Sequence, residues 1–91
     1  MRDIKQIATE VAGLVEKKNA DYDKSFEKTL SKYGPVAYCL RLEDKLSRFY
    51  SLAVKGNCQQ VANESVIDTV KDIIGYSLLL LQILENEVEH D

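Results

Sequence analysis

The stretch from Asn63 to Leu84 restricts the fold more than any other part of this sequence, because it predicts one long helix that is apolar around most of its circumference. At about 100° per residue, its apolar side chains cover well over half of a helix surface. A chain of 91 residues buries only roughly 60–65% of its unfolded surface. Three short partner helices would cover such a helix incompletely, so we expect a homo-oligomer, either a dimer or a tetramer.

A narrow polar stripe interrupts the apolar surface of this helix. Its carboxylates Glu64, Asp68 and Asp72 step by four residues, which places them along one helix face. A buried carboxylate is costly unless it is paired, hydrogen-bonded or bound to a metal. Oxygen ligands gathered in this way suit Mg²⁺ or Mn²⁺, which also bind waters and substrate phosphates. The stripe therefore predicts a metal site, and the alternative is a solvated or ion-paired acidic face.

The remaining apolar patterns also have helical periodicity, and no strand pattern of useful length occurs. We predict a single all-α domain over residues 1–91, a small four-helix bundle completed by oligomerisation, with helices at about 2–17, 24–33, 35–55 and 63–86. Gly34 suits the exit from one helix and Pro35 the first turn of the next. Asn63 is a good N-cap residue for the last helix.

Composition excludes several functional classes. The formal net charge is −3, which argues against a dedicated binder of duplex nucleic acid. No apolar segment is long enough to cross a membrane and no targeting segment is evident, so we expect a cytoplasmic protein. The single histidine, His90, lies in the acidic tail, and this position makes histidine-based acid–base or zinc chemistry a poor fit.

A basic cluster and two acids share the third predicted helix. Arg41, Lys45 and Arg48 are spaced at i, i+4 and i+7, so they can hold the phosphates of a nucleotide, with arginine giving a forked contact. The alternative for this cluster is a solvated outer face. Glu43 and Asp44 could face the acidic stripe as a further metal ligand or as a general base, and the apolar pattern of the helix favours Glu43.

Two tyrosines are candidates for contact with a nucleotide base. Tyr76 flanks the acidic stripe, and Tyr22 lies in a predicted polar loop. An aromatic side chain at helical spacing is more often part of the core, which is the alternative for both residues.

Three segments together carry a family pattern: residues 18–22 read K-N-A-D-Y, residues 41–48 read R-x-x-D-K-x-x-R, and residues 64–76 read E-S-x-x-D-T-x-x-D-I-I-G-Y. Over residues 17–85 this pattern resembles a small family of phages and prophages, known as a nucleotide-modification-associated domain of uncharacterised function. Among the two neighbouring acids, this resemblance favours Asp44 over Glu43 as the site residue.

More distantly, the sequence is similar to the all-α nucleoside triphosphate pyrophosphatases of the MazG and dUTPase type. Those enzymes hold Mg²⁺ with carboxylates from an E-x-x-E and an E-x-x-D on adjacent helices, and they hydrolyse a nucleoside triphosphate to the monophosphate and pyrophosphate. The resemblance implies that Asp72 matches the aspartate of the second motif. The spacing departs from the family, because the acids of the last helix step by four and one acidic pair stands where E-x-x-E is expected.

We therefore expect a Mg²⁺-dependent nucleotide-binding protein that hydrolyses a nucleoside triphosphate. The expected roles are metal ligands for Glu64, Asp68 and Asp72; catalysis for Asp44, with Glu43 as the second choice; and substrate binding for Arg41, Lys45, Arg48, Tyr22 and Tyr76. The competing hypothesis is a non-enzymatic phage or prophage protein that oligomerises and binds a partner. In that case the acidic and basic residues form structural ion pairs, which give specificity more than stability.

Overall fold

A computed structural model describes the backbone of residues 1–55 and 59–90 and the side chains of residues 1–55 and 64–87. Within these ranges the chain forms four α-helices and no strand, which confirms the predicted all-α class. The helices are α1 (Ile4–Asp21), α2 (Ser25–Tyr33), α3 (Val36–Phe49) and α4 (Gln59–His90), and a π-helical turn at Tyr50–Val54 directly follows α3.

The first helix begins with a reciprocal cap and ends later than predicted. The Asp3 side chain accepts a hydrogen bond from the Gln6 backbone at 2.8 Å, and the Gln6 side chain accepts one from the Asp3 backbone at 2.9 Å. α1 continues past the predicted end at residue 17 to Asp21, because Lys18 and Ala20 favour helix, while Asn19 and Asp21 lower helix propensity without breaking a helix. The real break comes where Asp23 and Lys24 adopt positive φ angles of 53° and 55°.

The last helix is longer than predicted at both ends. It begins at Gln59 and ends at His90, so the predicted N-cap at Asn63 is wrong and Asn63 lies inside the helix. A cap residue favours a helix start only weakly when the preceding residues are themselves compatible with helix. At 1.5 Å per residue, 32 residues span about 48 Å, which matches the 47 Å longest extent of the chain.

The fold is organised around α4, which packs against α1, α2 and α3, while α2 also packs against α3. The Tyr38 hydroxyl lies 2.8 Å from the Ser77 hydroxyl, and the Lys45 ammonium lies 3.0 Å from the Asp72 carboxylate. Later residues of α3 thus meet earlier residues of α4, which makes these two helices antiparallel.

The core is thin. Among the side chains that the structure describes, the buried apolar ones are Val11, Phe26 and Ala37. Thr69 is also buried, and its hydroxyl donates a hydrogen bond to the Ser65 carbonyl at 2.6 Å, which satisfies it. Many large apolar side chains stay exposed. In the described part of the chain, no helix is both long enough and apolar enough to cross a membrane.

Close packing at Gly75 and an ion pair of Lys71 both hold α1 against α4. A Cβ atom added at Gly75 would lie 3.0 Å from a methyl carbon of Val15, so glycine permits this close approach of the two helices. Beside it, the Lys71 ammonium donates to the Glu10 carboxylate at 3.2 Å. The hydrogen bond from Lys71 lowers the pKa of Glu10 below its usual value, and the charge of Arg2 lowers it further.

Replacing Gly75 with leucine should therefore destabilise the protein by about 1–3 kcal/mol, because the side chain must push α1 away from α4. Gly13→Leu is the matched control, since nothing lies within 4 Å of a Cβ at Gly13. This control should stabilise the protein by about 0.5–1 kcal/mol through helix propensity. Urea unfolding measures both changes, and equal midpoints for the two variants would contradict the close approach at Gly75.

Candidate functional site

A cleft of about 450 Å³ opens where α1, α2 and α3 meet α4. Part of its lining is apolar and comes from Val15, Phe26, Gly75 and Leu79. The polar lining is Lys18, Asn19, Tyr22, Ser25, Arg41, Asp44, Lys45, Asp72 and Tyr76. A concave site that combines an apolar wall with a few convergent polar groups is typical of small-molecule binding.

The carboxylate of Asp72 bridges two lysines inside this cleft. Its Oδ2 atom lies 3.0 Å from the Lys45 ammonium of α3, and its Oδ1 atom lies 3.4 Å from the Lys18 ammonium of α1. The side chains of Asp72 and Lys45 are only 28% and 27% exposed. Because this pair is partly buried, salt ions screen its attraction less than that of a surface pair. Through its two contacts, the one carboxylate of α4 links three helices.

Positive charge exceeds negative charge in the cleft. Lys18, Arg41 and Lys45 face two carboxylates, Asp44 and Asp72, which leaves one net positive charge. Neither Arg41 nor Asp44 belongs to an ion pair in the part of the chain that the structure describes. An ammonium group carries three donors, so each lysine keeps donors for a ligand after pairing with Asp72. The cleft is therefore suited to an anion that carries several oxygen atoms.

Aromatic rings contribute to the same cleft. The ring of Tyr76 packs edge-on against Phe26, with centroids 5.1 Å apart and an angle of 62° between the planes. Phe26 is buried, so this contact fixes the half-buried Tyr76 ring. Tyr22 follows the last residue of α1 and is 66% exposed. Its ring is available to a flat ligand, whereas the Tyr76 ring is already packed.

Six of the ten predicted site residues meet in this cleft. They come from α3, from α4 and from the residue that follows α1, and they comprise Tyr22, Arg41, Asp44, Lys45, Asp72 and Tyr76. The two neighbouring acids of α3 line different surfaces. Asp44 lines the cleft, whereas Glu43 lines a different groove with Cys39 and Lys55.

The other predicted residues do not line this cleft. Arg48, Glu64 and Asp68 are exposed to solvent. Residues four apart on a helix differ by about 40° around the axis, so Asp72 lies about 80° from Glu64. Only Asp72 of this stripe reaches the cleft. Among the described residues, no group of three histidine, cysteine or acidic side chains could hold a metal ion, and binding of Mg²⁺ or Mn²⁺ stays a prediction.

Sequence reasoning left Lys18, Asn19 and Ser25 out of the site. The first two fell beyond the predicted end of α1 at residue 17, and the extra helical turn carries them to the cleft. One signal could have found them, because both belong to the K-N-A-D-Y segment at residues 18–22.

Neither the curated proteins nor the solved structures give a match to this chain. A family model described as nucleotide modification associated domain 1 matches residues 18–84. This range begins at Lys18 and contains every polar residue that lines the cleft. Because the match covers well over half of the 91 residues, the chain belongs to the nucleotide modification associated domain 1 family.

Proposed function

We propose that the cleft binds a nucleoside triphosphate and holds it through the phosphates. The observation that carries this proposal is the convergence of Lys18, Arg41 and Lys45 on one cleft, where Asp72 bridges the two lysines. The association of the family with nucleotide modification supports a nucleotide over other anions of similar size.

Each cation can contact a different part of the phosphate chain. Lys18 and Lys45 come from different helices and share one carboxylate, so their ammonium groups stand on either side of it and can contact adjacent phosphates. Arg41 takes part in no ion pair of the described residues, and its guanidinium can form a forked contact with one phosphate. Asp72 keeps the lysines in place before the nucleotide binds.

The base lies against the aromatic part of the cleft. The exposed ring of Tyr22 supplies a stacking surface, and stacking of a base on an aromatic side chain contributes roughly 1–3 kcal/mol. Tyr76, fixed by Phe26, forms a wall beside the apolar residues Val15 and Leu79.

Magnesium fits this arrangement as a companion of the phosphates. Mg²⁺ is usually bound through one or two carboxylates together with substrate phosphates and waters. One carboxylate is enough for such an ion, and Asp72 can supply it. Asp44, the other carboxylate of the cleft, then stays outside the metal shell. When bound there, the ion would neutralise phosphate charge and polarise a phosphoryl oxygen.

Hydrolysis of the bound triphosphate is the second candidate function, and the position of Asp44 favours it. This carboxylate lines the cleft and has no cationic partner among the described ion pairs, so it is free to accept a proton from water. The water oxygen would bond to the α-phosphorus, and the bond from that phosphorus to the departing pyrophosphate would break. The resemblance to all-α pyrophosphatases supports this reaction, which leaves the monophosphate and pyrophosphate.

The competing proposal is a non-enzymatic phage or prophage protein that oligomerises and binds a partner. The bridge from Lys18 through Asp72 to Lys45 supports it, because an ion pair that links three helices can serve structure alone. A measurement of nucleotide binding distinguishes the two proposals, because only the leading one requires it.

Deoxynucleoside triphosphates with Mg²⁺ should raise the melting temperature, because a ligand at a hundredfold excess over its Kd adds about 2.7 kcal/mol. Lys18→Gln should weaken binding roughly tenfold to a hundredfold, since a charge-assisted hydrogen bond is lost. The neighbouring Lys17→Gln is the matched control and should bind as the wild type does, because Lys17 is exposed outside the cleft. If no nucleotide shifts the melting temperature of the wild-type protein, the leading proposal fails.

Asp72→Asn should tighten the binding of metal-free tripolyphosphate several-fold, because the asparagine amide oxygen can still accept a hydrogen bond from a lysine, while the negative charge that competes with phosphate is lost. The substitution leaves three cations facing one carboxylate in the cleft, and the local field attracts anions more strongly. Asp68→Asn makes the same charge change one turn away at an exposed position and should have little effect. Isothermal titration calorimetry at low salt measures both affinities. Equal affinities for the two variants would place the phosphate outside this cleft.

Pyrophosphate release from a deoxynucleoside triphosphate should depend on Asp44. Asp44→Asn removes the proton acceptor and should slow release by about 10²–10⁴-fold. Glu43→Gln is the matched control, because the adjacent Glu43 lines a different groove, and it should keep the wild-type rate. Bound nucleotide without any pyrophosphate release, in Mg²⁺ or in Mn²⁺, would refute hydrolysis and leave binding intact.

A further inference from the structure

One apolar stripe on α4 is only partly covered within the described chain. It consists of large aliphatic side chains that are each 37–55% exposed, namely Ile67, Val70, Ile74, Leu78, Leu81 and Leu84. Their spacings of three and four residues keep them within an arc of about 120° on one helix face. We call this set the α4 stripe. An ordered row of this kind marks an interaction surface, unlike apolar residues scattered singly over a surface.

The neighbouring helices lie at the edges of the α4 stripe and cover it only in part. Lys71, on one side of the stripe, contacts Glu10 of α1 at 3.2 Å. Ser77, near the other edge of the stripe, contacts Tyr38 of α3 at 2.8 Å. α1 and α3 therefore lie at opposite edges of the stripe, and the stripe itself faces solvent.

Both framing helices add apolar side chains to this face. On α1, Ile7 is 39% exposed and lies three residues before Glu10, on the same helix side. On α3, Leu46 is 56% exposed and lies about 100° from Lys45, on the side away from Asp44 and the cleft. The apolar face is therefore three helices wide.

We propose that this face pairs with the same face of a second copy of the chain, giving a two-fold symmetric dimer. The stripe from Ile67 to Leu84 is about 25 Å long at 1.5 Å per residue. Three helices with axes 8–10 Å apart make a width of about 27 Å. The face therefore covers on the order of 700 Å², close to the roughly 800 Å² per partner that a stable interface buries.

A second copy suits this face better than an unrelated partner. A two-fold interface uses one patch twice, so the patch must be compatible with itself, and the uncharged α4 stripe meets its own copy without opposing like charges. The thin core, with three described apolar side chains buried, also leaves much apolar area for dimerisation to bury. Asp72 lies about 180° around α4 from the centre of the stripe, so pairing leaves the cleft open.

Sedimentation equilibrium tests the proposal. The wild-type protein should sediment at twice its 10.3 kDa chain mass, whereas Ile74→Glu should sediment as a monomer because a dimer would bury two unpaired carboxylates. Leu40→Glu is the matched control: Leu40 is 54% exposed on α3, away from the α4 stripe, and this variant should remain a dimer. A monomeric wild-type protein, or equal masses for the two variants, would overturn the proposal.

A crosslinking variant covers the case in which Ile74→Glu fails to fold. In a chain with Cys39→Ser and Cys58→Ser, Ile74→Cys should form a disulfide-linked dimer under mild oxidation, because the middle of the stripe meets its counterpart. Leu40→Cys in the same background should remain uncrosslinked. Equal crosslinking of both variants, or none at Ile74→Cys, would also overturn the dimer.

Discussion

The carboxylate of Asp72 is the interaction on which the cleft depends. It accepts contacts from Lys18 on α1 and from Lys45 on α3, so one side chain of α4 sets the positions of both helices around the cleft. The Lys45–Asp72 pair is largely buried, with side chains 27% and 28% exposed, so removing one partner leaves an uncompensated charge. The same pairing aligns two ammonium groups towards one cleft, and this alignment makes the cleft suitable for phosphates.

The two sides of α4 serve different purposes. On one side, Gly75 lets α1 approach closely, and this approach brings Lys18 to the cleft. On the other side, the α4 stripe lies open between α1 and α3. The helix is apolar around most of its circumference because it serves a core on one side and, as we propose, a second copy on the other. Between these surfaces, Lys71 pairs with Glu10 of α1 and Ser77 contacts Tyr38 of α3.

The sequence predicted the helical class and part of the cleft, because both follow from spacing along single helices. Arg41 and Lys45, one turn apart on α3, were predicted from an i, i+4 pattern and do meet in the cleft. The pairing of Asp72 with Lys18 could not be predicted, since it depends on how α1 packs against α4. Placing Glu64 on one helix face with Asp72 neglected the drift of about 40° per four residues.

The most direct test is a crystal structure of the protein with a non-hydrolysable deoxynucleoside triphosphate analogue and Mg²⁺. Phosphate oxygens should lie within hydrogen-bond distance of the Lys18, Arg41 and Lys45 side chains, with the base against Tyr22. A nucleotide bound at another surface, or a cleft in which Asp72 keeps both lysines and no phosphate enters at saturating ligand, would contradict the assignment of this cleft as a phosphate site.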